Sequence, residues 1–524
     1  MALTETRPET AGTPPAGPQR PAPGSLERLI GSGDHLSIGR LFIGFSLILG
    51  VLVLLARALV GVDVATDNGF LGGRTGMLGT SSLVGLVLIV VVPLLLGVAV
   101  SIVPLQVGSP SIAFPRAAAL SLWGWLVSAG IFITSVAING GVLGTDTDAA
   151  KLGNLSMGAM MVALGLGSVC VATTVVAHRP EGMGLARVPF FAWSMLVGAV
   201  LWIVTLASAF AHVIVGQITQ SDAAGLATNF TNGIGWITRG PSIYVLAIPV
   251  LGVAADVAAT VAGRRITQYG IVQGIIGAYA VLSFGAWAQL PRSINTVVWT
   301  LFALAIAVPV LGFLGALGDV LRRGKVRPTP ALVLSLLSVL LLLGAVLSGL
   351  LQAVDLAGTG TVFGFNAAAL GSAQAYFVIA AALGGGLAGL FHWSPQVWGG
   401  PVARTAGNAT AALVFLGGGL LATAQLVQSV VQLDGKDTAS QFFGALTALG
   451  SLLLGVGILS GFMASLGAAR DAADGPDDDD RVDGLTLEWS YPTPTAGGTV
   501  LDPAEVTSPY PLLDAREGTT KETA

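Results

Sequence analysis

Long apolar stretches recur along the whole chain, and they constrain its fold more than any other feature. A helix needs roughly 20 apolar residues to cross the hydrocarbon layer of a bilayer, at a rise of about 1.5 Å per residue. Backbone polar groups in lipid must be hydrogen-bonded within the protein, so such stretches are predicted to be helices rather than strands. By length the sequence contains about twelve: 36–60, 78–103, 117–136, 155–177, 189–215, 234–262, 271–288, 296–317, 330–351, 367–391, 402–431 and 441–466.

The composition agrees with this pattern. Of the 524 residues, 53% are hydrophobic and 10% are charged, whereas a soluble domain usually carries about a quarter charged residues. The net charge of −4 does not indicate a nucleic-acid partner. The single cysteine, Cys170, excludes an internal disulfide and a cysteine-based metal cluster. The sequence therefore predicts an all-α integral membrane protein with twelve transmembrane helices, in contact with membrane lipid.

Basic residues between the spans predict the orientation, because loops on the cytoplasmic side carry an excess of Lys and Arg. With the N-terminus inside, the outer loops carry Arg74, Lys151, Arg292 and Lys436. The inner loops carry the larger set: Arg116, Arg179, Arg187, Arg264, Arg265, Arg322, Arg323, Lys325, Arg327 and Arg404. Both termini are therefore predicted to be cytoplasmic.

Three regions follow from these patterns. Residues 1–33 are rich in Pro, Thr and Gly and are predicted to be a disordered cytoplasmic tail. Residues 34–468 are predicted to form the transmembrane domain. Residues 469–524 contain an acidic run at 477–480 and many Pro and Gly residues, so they are predicted to be an extended or disordered cytoplasmic tail.

Seven short motifs occur in a fixed order along the chain: Asp34-His35 with Ile38-Gly39, Val103-Pro104-Leu105-Gln106-Val107-Gly108, Ala113-Phe114-Pro115-Arg116 with Leu122-Trp123, Gly240-Pro241-Ser242-Ile243-Tyr244 with Pro249, Trp287-Ala288, His392-Trp393-Ser394-Pro395, and Thr486-Leu487-Glu488-Trp489. Together, from His35 to about Pro494, they resemble subunit I of the haem-copper oxidases, the catalytic subunit of cytochrome c oxidase. The last motif is similar to the end of the bacterial subunit. The resemblance implies the twelve-helix arrangement of that subunit, a bacterial cell (inner) membrane, other respiratory-complex subunits as partners, and a link to aerobic respiration and electron transport.

The family holds two haems and a copper with six histidines, since imidazole nitrogen binds both metals well. At the positions that match, this sequence has no histidine: it has Ser82, Gly240, Gln289, Leu290, Ala373 and Ala375. Ser, Gly, Leu and Ala do not replace imidazole at a haem iron. The sequence therefore predicts no catalytic residue, no cofactor-binding residue, no metal ligand and no bound cofactor.

The family's proton-path residues are also replaced. The matching positions are Ser111, Ser242, Phe313 and, at the outer magnesium site, Phe365-Asn366. Apolar or small residues at these points do not relay protons. Tyr244 is kept, and without copper it is interpreted as a packing residue with a hydrogen-bonded hydroxyl.

Four histidines remain, at His35, His178, His212 and His392, all near predicted helix ends. They are interpreted as interfacial residues, and a haem between His178 and His392 is the alternative. Arg239 and Arg292 flank vacated ligand positions. Each is read either as part of an anion- or partner-binding pocket or as an interfacial arginine whose head reaches water.

Three functions are compatible with these residues. The first is a degenerate, non-catalytic subunit I that is a structural, assembly or regulatory component of a respiratory membrane complex. The second is an active terminal oxidase with unorthodox ligation. The third is a small-solute transporter or channel on the same scaffold, in which the vacated haem space becomes a pathway.

Overall fold

The computed structural model describes residues 32–66, 69–238, 242–285, 296–357, 365–430, 437–471, 484–491, 506 and 508–522. From Gly33 onward these residues belong to one compact unit. The predicted tail 1–33 falls almost wholly outside them, and so do Arg239, Gly240, Gln289, Leu290 and Arg292.

Helices account for nearly all of the described backbone. Their bounds, numbered in chain order, are α1 His35–Thr66, α2 Thr75–Gly85, α3 Val92–Gln106, α4 Pro115–Ala137, α5 Thr147–Ala177, α6 Phe190–Thr219, α7 Ala223–Asn229, α8 Ile248–Ala262, α9 Tyr269–Gly285, α10 Thr296–Ala305, α11 Ala307–Arg323, α12 Pro330–Ala357, α13 Ala367–His392, α14 Ser394–Trp398, α15 Arg404–Val430, α16 Asp437–Asp471 and α17 Pro511–Glu522. A π-helical turn, Leu86–Val91, joins α2 to α3, and 3-10 turns cover Leu185–Arg187, Gly235–Thr238, Ser242–Ala247 and Leu487–Ser490.

Eleven helices in the described ranges are long and apolar enough to cross a membrane. They coincide with eleven of the twelve predicted spans, which confirms the all-α membrane fold. The remaining predicted span, 271–288, corresponds to α9, and its continuation past Gly285 lies outside the described residues. The last span ends at Asp471, five residues beyond the predicted span 441–466 and three beyond the predicted end of the transmembrane domain at 468.

Three spans form the centre of the bundle. The most apolar window of Thr75–Gln106 and of Ala368–His392 is fully buried, and that of Ser242–Ala262 is 94% buried. The other spans are buried along one face and expose aliphatic side chains on the opposite face, as lipid-facing helices do. The last span packs on the first, since a Cβ placed on Gly61 of α1 would lie 2.5 Å from the Ala448 nitrogen of α16.

A run of three glycines, 384–386, allows the central helices to meet. A Cβ at Gly384 would lie 2.3 Å from Ser338 Oγ of α12. At Gly385 it would lie 2.7 Å from Val250 Cγ2 of α8, and at Gly386 it would lie 2.9 Å from Leu94 Cδ2 of α3. Small residues let membrane helices approach closely. At this level of α13, side chains of three neighbouring helices therefore reach its backbone.

The C-terminal tail differs from its prediction. Residues 484–491 are neither extended nor disordered: Leu485, Leu487 and Glu488 are at most 1% exposed, and Leu487–Ser490 forms a 3-10 turn. The helix α17 follows near the end of the chain. Composition predicted disorder because the tail is too poor in apolar residues for a core of its own. Its few apolar residues instead pack against the ends of the membrane helices.

Candidate functional site

The position that matches the family's second-helix haem ligand carries a hydroxyl. Ser82 lies on α2, and its side chain is buried. Its Oγ donates a hydrogen bond of 2.8 Å to the Gly79 carbonyl oxygen, one turn earlier on the same helix. The hydroxyl is thus used within its own helix.

The matching positions on the tenth family helix carry methyl groups. Ala373 and Ala375 lie on α13 and are fully buried. Gln374 lies between them and Tyr376 follows them. The Arg57 guanidinium carbon lies over the Tyr376 ring, 5.1 Å from the ring centroid. An alanine methyl has no lone pair, so neither position provides a metal ligand.

A hydrogen-bonded trio joins three elements near these positions. Tyr244, from the turn Ser242–Ala247, donates through its hydroxyl to the Ala345 carbonyl oxygen of α12 at 3.0 Å. Gln374 Nε2 of α13 donates to the same hydroxyl oxygen at 2.8 Å. A Cβ at Gly349 of α12 would lie 2.6 Å from that Nε2 and 2.7 Å from that hydroxyl. These atoms are in close contact, and the hydrogen bond predicted for the Tyr244 hydroxyl is present.

We expect Tyr244→Phe to lower the free energy of unfolding by about 1–3 kcal/mol, because Gln374 Nε2 would be buried without an acceptor. Within the part of the chain that the structure describes, the amide oxygen of Gln374 already lacks a hydrogen-bond partner. The measurement is thermal unfolding in a fixed detergent. Adding Gln374→Leu is expected to recover part of the loss, and equal losses in the single and double variants would contradict the role given to this hydrogen bond.

The positions matching proton-path residues have structural contacts of their own. Phe313 of α11 is fully buried among apolar residues. Asn366 caps α13, since its side-chain oxygen accepts from the backbone N–H groups of Ala368 and Ala369. Ser242 is buried, and the Ser111 carbonyl oxygen accepts a hydrogen bond from Ser109 Oγ. None of these four side chains carries a carboxylate or an amine.

Three of the four histidines have different contact partners. His178 Nδ1 is 3.2 Å from Ser109 Oγ, and His212 Nδ1 is 3.0 Å from the Ser208 carbonyl oxygen in its own helix. His392 packs against the rings of Trp393 and Trp489. Across the described ranges no group of three or more His, Cys, Asp or Glu side chains is placed to hold a metal ion. The predictions for Gly240, Gln289, Leu290, Arg239 and Arg292 stay predictions.

The sequence did not predict a buried polar cluster formed by Gln106, Asp256 and Glu488. Gln106, at the end of α3, donates through Nε2 to Asp256 Oδ2 of α8 and to Glu488 Oε1 of the tail, both at 3.1 Å. All three side chains are at most 2% exposed. Asp256 also accepts from the backbone N–H groups of Phe190 and Phe191, at the start of α6. The cluster thus links three membrane helices to the tail.

Glu488 is held by further donors. Trp393 Nε1 and Thr486 Oγ1 donate to its Oε1 at 2.9 and 2.8 Å, while its Oε2 is buried and has no hydrogen-bond partner among the described residues. Burial raises the pKa of Glu488, and the hydrogen bonds from Thr486, Gln106 and Trp393 offset part of that rise. The sequence contains the motif Thr486-Leu487-Glu488-Trp489, but the motif alone does not indicate that Glu488 is buried or which residues it contacts.

Comparison with known proteins agrees with this architecture. The family model described as Cytochrome C and Quinol oxidase polypeptide I matches residues 37–462. A Streptomyces avermitilis protein that carries the name cytochrome c oxidase subunit 1-beta is 27% identical over 92% of this chain and 90% of its own length. The heme-copper oxidase subunit I+III of Aeropyrum pernix is 26% identical over 89% of this chain and 60% of its own length, and the quinol oxidase subunit 1 of Bacillus spizizenii is 26% identical over 53% and 47%.

The chain therefore belongs to the Cytochrome C and Quinol oxidase polypeptide I family, and it is a cytochrome c oxidase subunit I-like membrane protein.

Proposed function

We propose that this chain is a non-catalytic subunit I-like protein that acts as a structural, assembly or regulatory component of a respiratory membrane complex. The proposal rests on the chemistry of the side chains at the positions that match the family's metal ligands. Ser82 bonds to its own helix, and Ala373 and Ala375 end in methyl groups. The residues present therefore do not fit a haem iron or a copper ion, which require imidazole or comparable donors.

The packing of the central helices supports the same conclusion. A haem slot needs separated helices, yet beside Ala373 and Ala375 a Cβ at Gly349 of α12 would lie 2.6 Å from Gln374 Nε2 of α13. Tyr244, Gln374 and Ala345 are hydrogen-bonded where they meet. In place of a cofactor, direct contacts between side chains hold the spans together.

The proposed location is the bacterial cell (inner) membrane with both termini cytoplasmic. The family relatives named above from Streptomyces and Bacillus are bacterial. The basic residues concentrate in alternate loops, as the positive-inside rule requires. The proposed partners are other respiratory-complex subunits, since the matched relatives carry subunit names.

The test is purification of the full-length chain from its own membranes, with the Streptomyces avermitilis relative prepared in parallel. We expect no Soret band and less than stoichiometric iron and copper in this chain, with respiratory subunits co-purifying. The parallel preparation controls for loss of cofactor during extraction.

Two results would overturn parts of the proposal separately. Stoichiometric haem would establish unorthodox ligation and end the non-catalytic assignment. Absence of haem together with absence of any respiratory subunit, under mild extraction that keeps the relative's complex intact, would end the partner assignment.

A further inference from the structure

Two loops carry a concentration of basic residues and are in contact. The first loop follows α8 and the second follows α11. A Cβ at Gly324 would lie 2.5 Å from both the Cβ and the carbonyl oxygen of Ala262, so the loops touch. Thr267 and Asp319 make a second link, with 3.5 Å between Thr267 Oγ1 and Asp319 Oδ2. The six basic residues are Arg264, Arg265, Arg322, Arg323, Lys325 and Arg327.

Within the described ranges, two of the six pair with a carboxylate. Arg323 pairs with Asp319 at 2.7 Å. Arg265 pairs with Asp514 and Glu517 of α17. The other four, which we call the basic patch, are exposed and form no ion pair within the part of the chain that the structure describes: Arg264, Arg322, Lys325 and Arg327.

The span that ends at the basic patch is the least buried of the eleven spans in the described ranges. The span Thr300–Arg323 has 28% of its most apolar window buried, the lowest share among the eleven spans in the described ranges. Val308, Leu311 and Leu304 on this span are 71%, 57% and 45% exposed. The four cations therefore lie at the end of an aliphatic wall, where lipid headgroups meet water.

We propose that the basic patch binds the headgroup phosphate of an anionic phospholipid whose acyl chains lie along the span Thr300–Arg323. Arginine offers a planar pair of N–H donors that matches a phosphate, and lysine adds a point charge. Each cation near an anionic lipid surface strengthens binding roughly fivefold. The aliphatic wall takes up the chains, which a free phosphate lacks.

The experiment uses the full chain, stripped of lipid in detergent, and measures the rise in unfolding temperature as lipid is added. Phosphatidylglycerol is expected to stabilise the protein more than phosphatidylcholine or inorganic phosphate. A quadruple variant, with Arg264, Arg322, Lys325 and Arg327 each changed to Gln, is expected to bind phosphatidylglycerol at least roughly tenfold more weakly. A matched control removes four other exposed cations, by changing Arg116, Arg187, Arg404 and Arg470 to Gln.

A second variant keeps the proposal falsifiable if the quadruple variant folds poorly. Asp319→Asn frees Arg323 from its ion pair and is expected to strengthen phosphatidylglycerol binding by a few fold. Equal weakening of phosphatidylglycerol binding in the matched control would overturn the site, since binding would then depend on total charge and not on the basic patch. So would equal stabilisation by inorganic phosphate, or no gain with Asp319→Asn.

Discussion

Replacing Gly385 by leucine is expected to lower the free energy of unfolding by about 3 kcal/mol, at the upper part of the usual range for overpacking a core. A Cβ at this position would lie 2.7 and 2.8 Å from the two Cγ atoms of Val250 and 3.0 Å from its Cβ. Valine is stiff in a helix because both of its methyl groups start from Cβ. Val250 is fully buried, so relief requires α8 and α13 to separate.

The measurement is the unfolding temperature in one detergent, followed by tryptophan fluorescence. Gly165→Leu is the matched control, because Gly165 is also helical and a Cβ there meets nothing within 4 Å. Gly385→Ala combined with Val250→Ala is expected to be less destabilising than the sum of the two single changes, since the clashing methyl groups are those of Val250.

If Gly385→Leu were tolerated as well as Gly165→Leu, α8 and α13 would not be in tight contact at this level, and the packing described for the central helices would be wrong. Strong destabilisation by Gly385→Leu, together with a double alanine variant that loses less stability than the sum of its single changes, supports direct contact between α8 and α13.

The spans were predictable because their signal is local: about 20 consecutive apolar residues suffice to identify a membrane helix. The contact between residues 384–386 and α3, α8 and α12 was harder to predict. Glycine in a span is compatible with a close helix contact, but it is also common in membrane helices that make no such contact. Only the approach of Ser338, Val250 and Leu94 distinguishes these cases.

The polar clusters were beyond sequence reasoning for a different reason. Gln106 and Asp256 are far apart in the chain and meet because α3 and α8 pack together, and Glu488 joins them only because the tail folds back. The tail was read as disordered from its own composition, yet Leu485 and Leu487 are buried against a core that the membrane helices had already supplied. An isolated segment's composition does not report such a surface.

Docking of the tail segment 484–491 is expected to weaken as the pH rises, and Glu488→Gln is expected to abolish that dependence. Burial raises the pKa of Glu488 in the docked state above its ordinary value in the released state. The docked state therefore binds the proton more tightly. The contribution of this proton to docking is fully present below the ordinary pKa. The docking equilibrium constant falls by at most about tenfold per pH unit above that pKa, and the contribution is lost above the raised pKa.

The surroundings of Glu488 explain the sign. No Lys or Arg pairs with it within the described residues, and Asp256, a second carboxyl group, shares the Gln106 amide with it. Tyr269 and Tyr491 also lie near Glu488, Tyr510 lies near Asp256, and His392 packs on the neighbouring Trp489. A second negative charge buried here is unfavourable, so a neutral side chain is preferred.

The measurement is hydrogen exchange of residues 484–491 across a pH series, corrected for the intrinsic pH dependence of exchange. Glu488→Gln keeps an Oε1 acceptor for Trp393, Gln106 and Thr486 and stays neutral at every pH, so its protection is expected to be constant and, at high pH, greater than in the unmodified chain. Glu517→Gln is the matched control: it removes an exposed carboxylate that pairs with Arg265 and is expected to leave the pH dependence in place. If tail protection rises with pH in the unmodified chain, Glu488 docks as a carboxylate. If tail protection falls equally in Glu488→Gln, another group controls docking of the tail.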